Sequence, residues 1–135
     1  MRVRFAVTLF GLCFTACVLP LLAHHSVAAQ YDIDKVITVR GVVTKTEWMN
    51  PHARFWVDAK NDDGTVANWE MELAPPNTLK RQGVTRDSFK QGDPVTVDVW
   101  RAKDGSRLGH ALTLTLPGGQ ILQFPRGLGW RSPGR

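Results

Sequence analysis

From Val36 onward the sequence is written in period two, and short interruptions cut that pattern into pieces of strand length. "VITVRGVVTKTEW" is rich in β-branched residues and mostly alternates. "HARFWVDA" sets Phe55, Val57 and Ala59 against Arg54, Trp56 and Asp58. "VANWEMEL" sets Trp69, Met71 and Leu73 against Glu70 and Glu72. "VTVDVW" and "LGHALTLTL" supply a fourth and a fifth strand, and "QILQF" a sixth at an edge. Clean alternation means a sheet with one wet face. The interruptions are turn chemistry: Met49-Asn50-Pro51, Asn61-Asp62-Asp63-Gly64, Gln91-Gly92-Asp93-Pro94, Asp104-Gly105 and Pro117-Gly118-Gly119.

Two local signals refine this pattern. Gly41 interrupts the first strand, which predicts a bulge or a sharp bend. Pro75-Pro76-Asn77 stops the third strand, with Asn77 placed to cap a short helix over residues 78–81 and Gly83 placed to end it. Three strands, a short helix and two or three further strands is the order of the five-stranded Greek-key barrel called the OB-fold. The expectation is therefore an all-β domain with one short helix, an OB-fold-like barrel of five to six strands over residues 36–124. A β-sandwich is the alternative and would need more strands. Residues 24–35 read as a polar, irregular, histidine-bearing segment, and residues 125–135 as a loose tail of Gly, Pro and Arg.

The first 23 residues have a different texture. Arg2 and Arg4 precede an apolar run over residues 5–22 that ends at Leu21-Leu22-Ala23. A basic start, an apolar middle and a small residue at the end describe a secretory signal peptide, so a periplasmic location is expected, with no stable membrane anchor after cleavage. A cut after Ala23 leaves His24 first. Val27-Ala28-Ala29 offers a rival cut that discards both histidines, and Phe14-Thr15-Ala16-Cys17 faintly resembles a lipoprotein site. Cys13 and Cys17 both lie in the leader, so the processed chain has no thiol. It keeps 112 of 135 residues, enough for one core. Its charge falls to 15 basic against 12 acidic groups, or +3, too mild for a polyanion binder; nucleic acid is not expected as a partner.

Little in the sequence assembles a catalytic set. There is no Gly-x-Ser-x-Gly elbow, no phosphate loop and no dinucleotide fingerprint. The histidines carry more. A first-residue His24 offers a free α-amine and an imidazole that chelate one metal ion, and both lose their protons near neutral pH. Nitrogen donors of this kind favour copper(II). His25 adds a second imidazole, and His52, in "EWMNPHARFW", a third if that turn lies beside the amino terminus. The plainer reading is a flexible start with two exposed histidines and a turn histidine packed on its aromatic neighbours. His110, on a face with Leu108, Leu112 and Leu114, reads as a hydrogen-bonded or rim histidine.

Five tryptophans in a chain this small also need a use. Trp69 lies on the apolar face of its strand. Trp56 and Trp100 lie opposite the Val-rich faces of theirs, where a second, smaller core is the expected use. The alternative is a set of exposed aromatics, Trp48, Trp56 and Trp100, that bind a small molecule, glycan or partner protein.

"AHHS", "GVVTKTEWMNPHARFWVD", "NWEMEL", "PPNTLKRQGVTRDSFKQGDPVTV", "RAKDGS" and "LTLPGG" together resemble a family of small exported bacterial proteins classed as a domain of unknown function. The resemblance runs from about His24 to Gln120. It implies a periplasmic OB-like barrel and no established activity. It favours the cut after Ala23, because the family's members share "HHS" there. Gly109-His110-Ala111 departs from the Asn-Ala expected in relatives, which sets His110 outside any shared site. His24, His25 and His52 are the metal candidates. The chain is expected to be a non-enzymatic binding protein, its partner an unidentified small ligand or periplasmic protein. Catalysis at an amino-terminal copper would need an open coordination position and a groove that the sequence does not show.

Overall fold

The computed structural model describes residues 26–127. The leader, His24, His25 and residues 128–135 lie outside them. A single helical turn, α1 (Val27–Gln30), leads into β1 (Tyr31–Glu47), followed by β2 (Arg54–Lys60), β3 (Val66–Glu72), α2 (Pro76–Arg81), β4 (Pro94–Ala102), β5 (Leu108–Thr115) and β6 (Ile121–Gln123). The strands lie in the order β3-β2-β1-β4-β5-β6. All neighbours are antiparallel except β3 and β5, which meet in parallel at Glu70–Leu108, Met71–Gly109 and Glu72–His110. That contact closes β1, β2, β3, β5 and β4 into a ring, as expected for an OB-like chain, with β6 as a short edge on β5.

One long strand makes the closure possible. Residues 41–47 of β1 pair with β2, while residues 36–42 pair with β4. Gly41 belongs to both ladders, opposite Ala59 on one side and Val95 on the other. A Cβ there would collide with the carbonyl oxygen of Asp58. The glycine therefore serves close backbone approach, and the bulge predicted at Gly41 lies instead between Val43 and Lys45.

The inward faces fill one core. Val43, Phe55, Val57, Met71, Val97 and Leu114 are buried in it. Leu79 of α2 and Phe89 of the following turn close it, Phe89 meeting the Phe55 ring at 5.0 Å edge-on. The helix starts two residues earlier than expected. Pro76 occupies its first turn and Pro75 caps it without a side-chain bond, so Asn77 is not the cap. Proline suits that position because the first N–H groups of a helix have no internal partner. Gly83, at φ +80°, follows the helix end as expected.

Two irregularities matter for function. The segment expected to be irregular enters β1 already at Tyr31, which pairs with Ala102; the ladder on β4 then breaks and resumes at Val36. On β5, Asp98 faces Thr113 while Val99 faces Ala111, leaving Leu112 as an extra residue. This bulge reverses the alternation. Leu114 consequently enters the main core, away from His110 and Leu112, with which the sequence pattern grouped it.

Outside the ring, Tyr31, Trp100, Ala102 and Leu112 form a second, smaller core, joined by Val27, Ile33 and Leu108. Among the described residues no helix is long and apolar enough to cross a membrane.

Candidate functional site

The second core is not purely apolar. His110 is buried in it, 2% exposed, because its strand position faces the ring's outside while Trp100 and Tyr31 cover it. The Trp100 ring stacks on the imidazole at 5.9 Å, and the Tyr31 ring meets it at 5.5 Å, tilted. His110 Nε2 lies 3.3 Å from the Pro125 carbonyl, which only accepts, so Nε2 carries the proton. Nδ1 is then left with a lone pair, buried and without a hydrogen-bond partner. Burial drives the imidazole's pKa down to about 4; the Pro125 bond opposes this and His52 adds to it.

The Tyr31 hydroxyl is likewise buried, and it lies beside the Glu72 carboxylate. Its pKa is raised, first by burial, then by the charge of Glu72 and hydrogen bonding to that carboxylate, with Glu70 adding to the effect and Arg54 opposing it. Arg54 and Glu70 are themselves paired at 3.0 Å. Glu72 stands across the parallel seam from His110.

His52 completes the group. Its turn, which contains a cis Asn50–Pro51 bond, is tied back to the end of β3 by Leu73 N–H to Ala53 O at 2.9 Å. His52 Nδ1 lies 3.0 Å from the Leu73 carbonyl and 3.8 Å from Glu72 Oε1. The carbonyl fixes the proton on Nδ1, so Nε2 holds the lone pair in the neutral ring, the usual arrangement of a ligating histidine. His52 is half-exposed. The parallel pairing of β3 with β5 thus gathers Tyr31, His52, Glu72 and His110 at one end of the ring. Unpartnered buried polar atoms and shifted titrations together mark candidate sites.

The amino-terminal segment arrives at this same end. Ser26 caps α1, its Oγ accepting from Ala29 N–H at 3.2 Å. Val27 packs against Gly127, and a Cβ on Gly127 would stand 4.0 Å from His110 Cε1. His24 and His25 precede Ser26 and lie outside the described residues. Among the described residues, no group of three or more His, Cys, Asp or Glu is placed to hold a metal. His52 is therefore the one metal candidate whose position is described.

A protein-family model for a family of unknown function, DUF6152, matches residues 13–111. The chain belongs to that family. The resemblance read from the motifs is borne out at that level. The family match includes the "HHS" segment, the His52 turn and His110 itself. No curated protein and no solved structure matches the chain.

The three tryptophans offered as an exposed aromatic set do not share a surface. Trp100 is buried at 2% exposure in the second core. Trp48 packs on the main core against Phe89, at 6.2 Å between rings, with its Nε1 buried and unpartnered. Trp56 alone faces outward, beneath the Lys45 ammonium at 4.5 Å. Sequence reasoning missed Tyr31 and Glu72. Tyr31 was readable only as the chain's sole tyrosine in a polar stretch, and Glu72 as one of two ordinary carboxylates on a wet face.

Proposed function

We propose that this protein is a small exported binding protein that takes up copper(II) at its processed amino terminus. Removal of residues 1–23 in transit to the periplasm leaves His24 first, with its α-amine and imidazole as a chelating pair. His52 contributes the next nitrogen through Nε2, and His25 is within covalent reach of the same ion. The observation that carries this reading is the His52 geometry: its Nδ1 is engaged by the Leu73 carbonyl, at the end of the ring where residues 26–31 dock. Three nitrogens of amine and imidazole type suit copper(II) over calcium or magnesium, which prefer oxygen.

The test is copper titration of the mature protein, followed by electron paramagnetic resonance. The expected spectrum shows nitrogen coupling from at least two imidazoles. His24→Ala and His52→Ala should each alter it and weaken binding roughly tenfold or more, the usual cost of losing one interaction of about 1.4 kcal/mol or greater. A spectrum and affinity indifferent to both substitutions overturn the copper site.

A further inference from the structure

We infer that residues 26–35 form a strap over the second core, and that protonation of His110 releases this strap while the ring of strands stays closed. The release needs no metal and stands apart from the copper reading. Val27 and Ile33 of the strap pack against the cluster that Tyr31 forms with Trp100, Ala102 and Leu112. The strap's backbone is tied at separate points. Tyr31 pairs with Ala102, the ladder then breaks, and from Val36 to Val42 every residue of β1 is held on β4. The Lys103 ammonium donates to the Ala28 carbonyl at 2.7 Å, and the Lys103 backbone N–H donates to the Gln30 carbonyl at 3.0 Å. The break before Val36 is therefore a hinge. Opening there gives up the packing of Val27, Tyr31 and Ile33 but leaves Val43, Phe55 and Val57 in the main core.

His110 is the group that the strap shuts in. Its Nε2–H keeps its bond to the Pro125 carbonyl in either protonation state, so protonation does not detach the segment after β6. A proton on Nδ1, by contrast, is a buried donor without an acceptor, and it adds a charge beneath the Trp100 and Tyr31 rings. Stacking on an indole favours the cation, but burial outweighs it. The surrounding charges offer Nδ1 no relief. Glu72, the register partner of His110 across the seam, lies beside the Tyr31 hydroxyl. Arg54 is paired with Glu70. His52 disfavours the cation through its own charge, and the Arg126 guanidinium lies 5.9 Å from the Trp100 ring. Asp32, Asp34 and Lys35, on the strap itself, are not buried. Water admitted by an open strap is what the imidazolium lacks, and the open state presents Trp100, Ala102 and Leu112 as a new apolar face.

Hydrogen exchange of the metal-free mature protein at pH 7 and 4.5, corrected for the intrinsic effect of pH, tests this. The Lys103 amide, bonded to the strap, reports on release; the Val43 amide, bonded to the Asp93 carbonyl, reports on the ring. Protection at Lys103 should fall about fiftyfold between the two pH values, as follows from an imidazole pKa of 6.5 in the open state and about 4 in the closed one. It should not change in dilute urea, the mark of an opening that exposes little surface, whereas protection at Val43 should fall with urea. A Lys103 amide with the urea dependence of Val43 means that the strap leaves only when the whole domain unfolds, and overturns the inference. Protection at Lys103 indifferent to pH overturns it too. A folded His110→Asn variant should lose the pH dependence at Lys103; one that keeps it assigns the release to another group and overturns the role of His110. The pH and urea comparison is made on the native protein, so it decides the matter even where His110→Asn fails to fold.

Discussion

Trp100 and His110 face one another across the β4–β5 ladder as register partners, their rings 17° from parallel. The indole denies the imidazole water, and the imidazole's pKa falls to about 4 as a result. In the unfolded chain it returns to an ordinary value near 6.5. Between those two values the unfolded state binds a proton that the folded state refuses, so stability falls as pH drops from 6.5 to about 4. The full loss is on the order of 3 kcal/mol. Urea unfolding at pH 7, 5.5 and 4.5 should show it, and His110→Asn should flatten the slope while lowering stability at pH 7. Equal stability of the native protein at all three pH values would contradict a neutral, enclosed His110. Asp63 and Asp104 work in a lower window. Hydrogen bonds from Thr65 and Ser106 depress their carboxyl pKa values, so what they contribute is lost only as pH falls through those lowered values.

The Tyr31 hydroxyl is enclosed beside the Glu72 carboxylate, whereas its ring fills the second core. Tyr31→Phe should therefore cost about 1–3 kcal/mol, because the largely buried Glu72 carboxylate loses the hydroxyl beside it. Tyr31→Ala should cost about 3–5 kcal/mol, as deletion of a large buried ring does. Chemical denaturation of both variants separates the two roles of this side chain. Unchanged stability on Tyr31→Phe would mean that the hydroxyl makes no bond to Glu72.

Gly41→Ala drives a methyl group into the Asp58 carbonyl, a backbone atom that cannot turn aside. The expected cost is about 3 kcal/mol or more, at the upper end for overpacking, read as a fall in thermal midpoint. Gly64→Ala is a useful contrast. Its Cβ meets nothing, and its penalty comes from φ +83° alone.

Mass spectrometry of protein recovered from the native envelope should give His24 as the first residue. A chain that begins at Gln30 has lost both His24 and His25, and with them the chelating end. Such a chain would also lack Val27 and Ala28, leaving Lys103 without one of its two carbonyl partners.

The alternation that announced β2, β3 and β4 was legible because each turns one face toward the main core and carries polar residues on much of the other. The same rule failed on β5. One extra residue at Leu112 flips the face, and no residue type signals a bulge of this kind. It also hid the second core, since period two separates two faces without saying that both are covered. Trp100 could be read as facing away from the valines, and the sequence suggested a smaller core there; only tertiary packing shows that Tyr31, some 70 residues earlier, completes it. Likewise, His52 was visible as a turn histidine in "NPH". Its partner, the Leu73 carbonyl, is a backbone atom and leaves no mark on a sequence. Lys103 was noticed only as part of a motif, because a lysine in a hairpin turn is ordinarily a solvated charge.

The parallel contact between β3 and β5 also sets a schedule. A polypeptide made from its amino terminus cannot shut the ring until Leu108, Gly109 and His110 have been synthesised, when four fifths of the chain already exist. Until then β3 presents an unmatched border, and pairings so distant along the chain form slowly. A nascent chain of this design stays open through most of its synthesis, the condition in which an unfolded polypeptide can be threaded through a narrow channel.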